Sequence, residues 1–132
     1  MLSPDETLPA DKVPAIRVLA MPADTNALGD IFGGWLMAHV DIAGSIAAHR
    51  YANGRVVTVA INEFVFLKPV YVGDLVSVYS EVDKVGTTSI RIKVTAYAER
   101  ERNTLECNRV VDATLSYVAI DEQRRPRAIN QQ

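Results

Sequence analysis

The segment that decides the fold is IFGGWLMAHVDIAGSIAAHR, residues 31–50, which is apolar at helical spacing. Apolar residues that recur at i, i+3 and i+4 predict a single helix here. Further methionine, alanine and isoleucine residues make its other sides apolar too, so we expect a helix buried on nearly all sides. Gly33 and Gly34 lie near its start, where glycine lets another group approach the backbone closely. Asp41 is the polar residue placed most deeply in this segment.

Beyond the Asn53-Gly54 turn, the apolar period changes from that of a helix to that of a strand. Strands are predicted at 55–67, 75–83, 89–99 and 105–120, with a short edge strand within 12–21. One helix is about 10–12 Å across, whereas five strands span about 24 Å. A flat sheet of that width would be left half uncovered. We therefore expect an α+β fold in which an antiparallel sheet curls around the helix, with its exposed edges hidden by a second copy.

The length of 132 residues favours one domain, predicted at 1–132 with flexible tails at 1–11 and 122–132. Fourteen basic and sixteen acidic residues give a net charge of −2, which argues against a nucleic-acid coat. No apolar run approaches the 18 residues of a membrane span, so no membrane partner is expected. The single cysteine, Cys107, excludes an intrachain disulfide framework. The expected location is the cytoplasm.

Asp41 is the residue through which chemistry is most readily explained. It follows Gly34 by seven residues, so both lie on one helical face about 10 Å apart along the axis. Open N–H groups at a helix start stabilise a developing negative charge, and a carboxylate can act as a base or a nucleophile. These groups suit the cleavage of an acyl bond through an oxyanion. A purely structural Asp41, bonded to nearby backbone or to Ser45, is the alternative and is favoured by spacing alone.

The other polar candidates are each ambiguous on their own. Asn26, in the loop before the helix, has the composition of a turn residue. His39 and His49 have no metal-binding spacing, so no metal is expected. A phosphorylated ligand would need basic and hydroxyl groups. Candidates for that role, each also readable as a solvated strand or turn residue, are Arg55, Lys68, Lys84, Gly86, Thr87 and Thr88.

Three segments in order carry a family resemblance. LAMPADTNALGDIFGGWLMAHVDIAGSIAA (19–48), RVVTVAINEFVFLKPVYVGDLV (55–76) and VGTTSIRIKV (85–94) resemble the YciA-type acyl-CoA thioesterases, which have the hotdog fold. The resemblance covers most of residues 12–121. It implies a sheet wrapped around one long central helix, two subunits joined edge to edge, and three such dimers in a hexamer.

The resemblance also implies an activity and a site. The activity is hydrolysis of acyl-CoA to free CoA and a carboxylic acid, with no metal or organic cofactor. The catalytic acid of the family falls on Asp41, its active-site asparagine on Asn26, and its oxyanion-binding amide on Gly34 within Phe32-Gly33-Gly34. In this fold the site is shared across the dimer, so Asn26 and Asp41 of one site are expected to come from different subunits.

One departure from the family pattern is Asn62, where many relatives carry an acidic residue, with Glu63 one position later. Alternation along a strand predicts that this shift moves the charge to the opposite face. Two other functions remain open. A non-catalytic acyl-CoA-binding module would bind CoA esters without releasing thiol, and a dehydratase of this fold would require a catalytic histidine with an acidic partner.

Overall fold

The structure, a computed structural model, describes residues 4–101 and 105–129. One long helix packs against a five-stranded sheet, as the sequence predicts. In chain order the elements are β1 (Ile16–Leu19), α1 (Gly33–Ala52), β2 (Val56–Phe66), β3 (Leu75–Val85), β4 (Ser89–Glu101) and β5 (Leu105–Ala119). Two short 3-10 turns, Pro4–Glu6 and Pro22–Asp24, precede the helix.

The strand order is β1-β3-β4-β5-β2, and all neighbouring strands are antiparallel. The helix contacts β2, β3, β4 and β5, so the core lies between the helix and one face of the sheet. The predicted inward faces of β4 and β5 are confirmed, because alternate residues there are buried. These are Ile90, Ile92, Val94, Ala96 and Ala98 from β4, and Val111, Ala113, Leu115, Tyr117 and Ala119 from β5.

The helix is buried on one side only. It begins after Phe32 and ends at Asn53, which adopts a left-handed φ of 53° and donates its N–H to the carbonyl of His49. Its buried residues are Leu36, Val40, Ala43, Gly44, Ala48 and Ala52. Ile42, on the other side, is 48% exposed. The prediction of a helix buried on nearly all sides is therefore wrong for the protomer, because a single sheet covers only the face that packs on it.

Strand β2 is an edge strand that pairs with β5 and carries two irregularities in its register, at Val59 and at Asn62. The second one changes where Asn62 and Glu63 point. Asn62 accepts a hydrogen bond from Ser116 at 2.6 Å, and Glu63 lies opposite Thr114. Both partners lie on the face of β5 that points away from the helix. The prediction that the two residues take opposite faces is wrong, because the bulge breaks the alternation between them.

Both ends of the described chain make specific contacts with the domain. Asp5 forms an ion pair of 3.2 Å with Arg109 on β5. At the other end, Arg127 donates to the carbonyl of Ala52 at 2.7 Å, and the buried Ile129 donates its N–H to the carbonyl of Thr87. The tail thus crosses from the end of the helix to the turn between β3 and β4. Within the described ranges, no helix has the length and apolar character needed to cross a membrane.

Candidate active site

Asp41 projects from the helix toward the β2 side of the sheet, where two hydroxyl groups hold it. Its Oδ1 atom accepts a hydrogen bond of 2.7 Å from Thr58 on β2 and one of 3.0 Å from the Tyr117 hydroxyl on β5. No group in residues 4–101 or 105–129 donates to its Oδ2 atom, which is not enclosed by protein either. No cation pairs with Asp41 within these ranges. The carboxylate is therefore oriented through one oxygen and open through the other.

Tyr117 reaches Asp41 only because residue 44 is a glycine. Its hydroxyl also donates to the Asp41 backbone carbonyl at 2.9 Å, and a Cβ at Gly44 would overlap that hydroxyl. Burial raises the pKa of Tyr117 strongly, and the charge of Asp41 and the hydrogen bond to it raise it further. The phenol thus stays protonated and remains a donor to the carboxylate. A buried tyrosine needs a partner for its hydroxyl, which was the sequence signal for this contact.

The start of the helix offers backbone N–H groups that point away from the sheet. The amides of Trp35 and Leu36 donate to the carbonyl of Phe32. In the part of the chain that the structure describes, the amides of Gly33 and Gly34 have no acceptor, as expected for the first residues of a helix. No atom lies within 4 Å of where a Cβ of Gly34 would be, so this position is open to a ligand. Gly33 instead lies against the ring of Phe66, 3.0 Å from its virtual Cβ.

Asn26 shapes the loop that precedes the helix. Its side-chain oxygen accepts hydrogen bonds from the amides of Leu28 (2.9 Å) and Asp30 (3.2 Å), while its own amide donates to the carbonyl of Asp30 at 2.7 Å. This is the turn role that composition alone favours. The Nδ2 group has no acceptor among the residues that the structure describes, so a donor remains available. Asn26 and Gly33 line the same cavity, of about 400 Å³.

The residues predicted to bind substrate fall in three separate places. Lys68 lines the cavity of Asn26 and Gly33, and donates to Asn108 at 3.0 Å. Arg55 lines a second cavity of about 420 Å³ at the far end of the helix. Lys84 and Gly86 line a third, of about 230 Å³, on the outer face of the sheet. The backbone carbonyls of the adjacent Thr87 and Thr88 bond Ile129 and Ala119. The protomer does not unite these groups.

Asp41 is also separate from the cavity at the helix start and lines neither of the two larger cavities. Seven residues of helix separate it from Gly34, about 10 Å along the axis. One thioester group cannot contact both positions of a single helix at that spacing. Sequence reasoning found Asp41 but missed Thr58, whose signal was a lone hydroxyl in the apolar run of β2.

Histidine and metal chemistry receive little support from the described residues. His39 packs edge-on against Trp35, with ring centroids 4.4 Å apart. Burial lowers the pKa of His39, and the charge of Asp24 opposes that shift in part. No described carboxylate accepts a hydrogen bond from His39, the pairing that a dehydratase would use. No group of three metal-binding side chains comes together within the described ranges.

Comparison with known proteins agrees with this geometry. A family model described as the thioesterase superfamily matches residues 28–105. The acyl-CoA thioester hydrolase YciA of Escherichia coli K12 is 47% identical over 116 residues, which covers 86% of this chain and 88% of that protein. A hexameric thioesterase from Yersinia pestis superposes with a TM-score of 0.87 at 45% identity, covering 95% of this chain and all of that one.

A third relative bears on the site itself. An acyl-CoA hydrolase from Staphylococcus aureus, solved with butyryl-CoA and CoA, has a TM-score of 0.80 at 30% identity, covering 86% of this chain and 69% of that one. It has also been solved with an aspartate replaced by alanine and with a threonine replaced by alanine, 17 positions apart. The helix, the sheet and the family match together define a hotdog-fold thioesterase. Within that class, the chain belongs to the YciA-type family of acyl-CoA thioester hydrolases.

Proposed function

We propose that Asp41 is the catalytic carboxylate of an acyl-CoA hydrolase, with the Gly34 amide as oxyanion donor and Asn26 as a donor that orients water or the oxyanion. The observation that carries this proposal is the state of Asp41, which is bonded by hydroxyls through Oδ1 and open through Oδ2. A carboxylate without a paired cation retains its basicity and nucleophilicity. The spacing of 17 between Asp41 and Thr58 equals that between the two mutated residues of the Staphylococcus aureus enzyme, which supports the same roles here.

The complete site is proposed to form between two subunits joined along β2. This edge strand exposes a row of large apolar side chains, and an open apolar edge of this length favours pairing with another chain. The most exposed are Val59, Ile61, Val65 and Phe66. A two-fold axis pairs the two strands antiparallel, so the beginning of one β2 meets the end of the other. Thr58 of one subunit then approaches Phe66 of the next, and Phe66 packs against Gly33.

This arrangement would resolve the 10 Å separation within one helix. Asp41 and Thr58 of one subunit would face the helix start and Asn26 of the other, with the thioester between them. We further propose a trimer of such dimers, in line with the hexameric relative from Yersinia pestis. Location in the cytoplasm remains part of the proposal, supported by a single cysteine that permits no intrachain disulfide.

In the proposed reaction, the thioester carbonyl oxygen accepts a hydrogen bond from Gly34. Asp41 then either removes a proton from water, which attacks the carbonyl carbon, or attacks that carbon itself. The second route forms an anhydride that water opens. Both routes release the CoA thiolate and use only groups of the protein, so no cofactor is required. Hydrolysis in ¹⁸O-water under single-turnover conditions separates them, because label enters Asp41 only by the anhydride route.

The proposal is tested with Asp41→Asn, because the amide oxygen can still accept from Thr58 and Tyr117 while the charge is lost. We expect thiol release from butyryl-CoA to fall by about 10²–10⁴-fold, the range for loss of a general base. Thiol release is followed with DTNB, and the melting temperature establishes that the variant is folded. Asp83→Asn, an exposed carboxylate on β3, is the matched control and retains activity.

A folded Asp41→Asn variant with the rate of the wild type would contradict the assignment. A wild-type protein that binds butyryl-CoA but releases no thiol would instead favour the non-catalytic binding module. A series of acyl-CoAs from acetyl to palmitoyl then defines the chain length accepted.

A further inference from the structure

The largest cavity found in the described residues lies at the C-terminal end of the helix and is strongly basic. Its volume is about 420 Å³. The end of α1, the beginning of β2 and the turn after β5 form its walls. Arg50, Arg55 and Arg124 line it together with His49, and no carboxylate residue is part of its lining. We refer to this cavity as the arginine cleft.

The three arginines of the cleft have no compensating partners in residues 4–101 and 105–129. The ion pairs of that part of the chain involve Arg100, Arg109 and Arg125 but none of these three. Three guanidinium groups of like charge around one cavity repel one another, and they attract anions because a cleft of one sign concentrates its field. Guanidinium groups also match the geometry of phosphate oxygens. The missing counter-charge is therefore that of a ligand.

The backbone at Arg124 indicates that this side chain is specifically placed. Arg124 has a φ of 64°, a left-handed conformation that favours glycine or asparagine. It belongs to a tight turn in which the Asp121 side chain accepts from the amides of Gln123 and Arg125. Arginine gains nothing from this conformation itself. Its presence directs a long cationic side chain into the cleft.

The cleft also has an apolar floor, formed by Ile46, Val56 and Ile120. It begins beside the proposed catalytic group, since Ser45 lies one helical turn after Asp41 and Val57 directly precedes Thr58. Arg50 lies nine residues beyond Asp41, about 13 Å along the helix axis. The cleft thus joins an apolar channel near the carboxylate to a cationic end far from it.

We propose that the arginine cleft binds the phosphates of an adenine nucleotide, with Arg50, Arg55 and Arg124 as the phosphate-binding residues. Two sources share this chemistry, namely the nucleotide end of acyl-CoA and a free nucleotide. The geometry fits the substrate, whose thioester and phosphates are separated by a flexible arm. The proposal in this form rests on the proposed function, whereas binding of a nucleotide can be measured independently of it.

The test uses the full-length protein and the double variant Arg50→Gln/Arg124→Gly. Glycine at 124 suits the left-handed backbone, so the turn is expected to be preserved. Arg125→Gln is the matched control, because Arg125 belongs to the same turn but is paired with Asp121 at 3.7 Å. Two quantities are measured: ADP binding by calorimetry, and the ratio of kcat/KM for butyryl-CoA to that for butyryl-pantetheine, which lacks phosphates.

We expect the double variant to lose at least tenfold in ADP affinity and at least tenfold in the kcat/KM ratio, while Arg125→Gln changes neither. ADP should compete with butyryl-CoA in the wild type. A loss of ADP affinity with an unchanged ratio would assign the cleft to a free nucleotide. Unchanged ADP affinity and an unchanged ratio would overturn the proposal. Failure of the proposed function is distinct, because the wild type would then hydrolyse neither thioester.

Discussion

Asp74 and Asp41 are two carboxylates withdrawn from solvent that the fold holds in opposite ways. The side chain of Asp74 is 1% exposed, and Arg100 donates to both of its oxygens, at 2.8 Å and 2.6 Å. The amide of Tyr71 bonds the same carboxylate at 2.9 Å. Asp41 has two hydroxyl donors on one oxygen and no cation. A carboxylate fixed by a fork of charged hydrogen bonds is structural, whereas one oriented by neutral donors keeps its charge available.

The position of Asp74 shows what the ion pair stabilises. Asp74 begins the approach to β3, and its carbonyl accepts from the amide of Ala20 beside β1. The neighbouring Val70 accepts from the amide of Ile31, two residues before the helix. Arg100 also lies over the ring of Tyr71, 4.5 Å from its centroid. The pair thus fastens the loop that supports the helix start, while Asp41 acts two turns further along the same helix.

The largest effect on this comparison is expected from Arg100→Met. It leaves the buried charge of Asp74 without its cation, which costs about 3–5 kcal/mol of the free energy of unfolding. Urea unfolding at fixed protein concentration measures this change. Asp41→Asn, by contrast, should lose activity with little loss of stability. A loss below about 1 kcal/mol for Arg100→Met would mean that water or rearranged groups satisfy Asp74, and the contrast between the two carboxylates would fail.

A smaller effect is expected from Gly44→Ala, which disturbs the hydroxyl side of the comparison. Its Cβ would overlap the Tyr117 hydroxyl, so either the helix or the tyrosine must shift. Overpacking of this kind costs about 1–3 kcal/mol, and we expect thiol release to fall as Asp41 loses its donor. Thermal unfolding and the DTNB assay measure the two effects.

The double variant Gly44→Ala/Tyr117→Phe supplies the control for that prediction. Removal of the hydroxyl relieves the closest contact, so part of the stability lost in Gly44→Ala should return. Strict additivity of the two substitutions would show that the overlap is not what makes alanine costly.

Several of these features could be predicted from the sequence, and the reasons are local. The alternation of β4 places Ile92 and Val94 inward because a strand has a period of two. The same rule failed at Asn62, where a bulge interrupts the period, and no local pattern marked that bulge. Asp41 was recognisable as a lone carboxylate in an apolar helix. Its contact with Thr58 required the pairing of distant elements, which a pattern within one element does not encode.

The arginine cleft shows the same limit more strongly. Arg50 and Arg124 are far apart in the chain, and the tail that carries Arg124 was predicted to be flexible. They meet because Arg127 bonds the end of the helix and draws the tail back across it. Such a site depends on where the chain returns after β5, which neither composition nor periodicity determines.

The smallest effect is expected from Tyr117→Phe, and its dependence on pH sharpens the comparison. Near neutral pH, the loss of one hydrogen bond to Asp41 should cost about 0.5–1.5 kcal/mol. The pKa of Tyr117 is raised in the folded protein, so above about pH 10 the unfolded chain ionises this phenol while the folded protein keeps it neutral. Wild-type stability should then fall by about 1.4 kcal/mol per pH unit more than that of Tyr117→Phe. The difference between urea unfolding curves at pH 9 and pH 11 isolates this contribution, since all other tyrosines are common to both proteins. An equal loss in both proteins would mean that the phenol ionises freely in the fold, and that Asp41 is not held by a permanent donor.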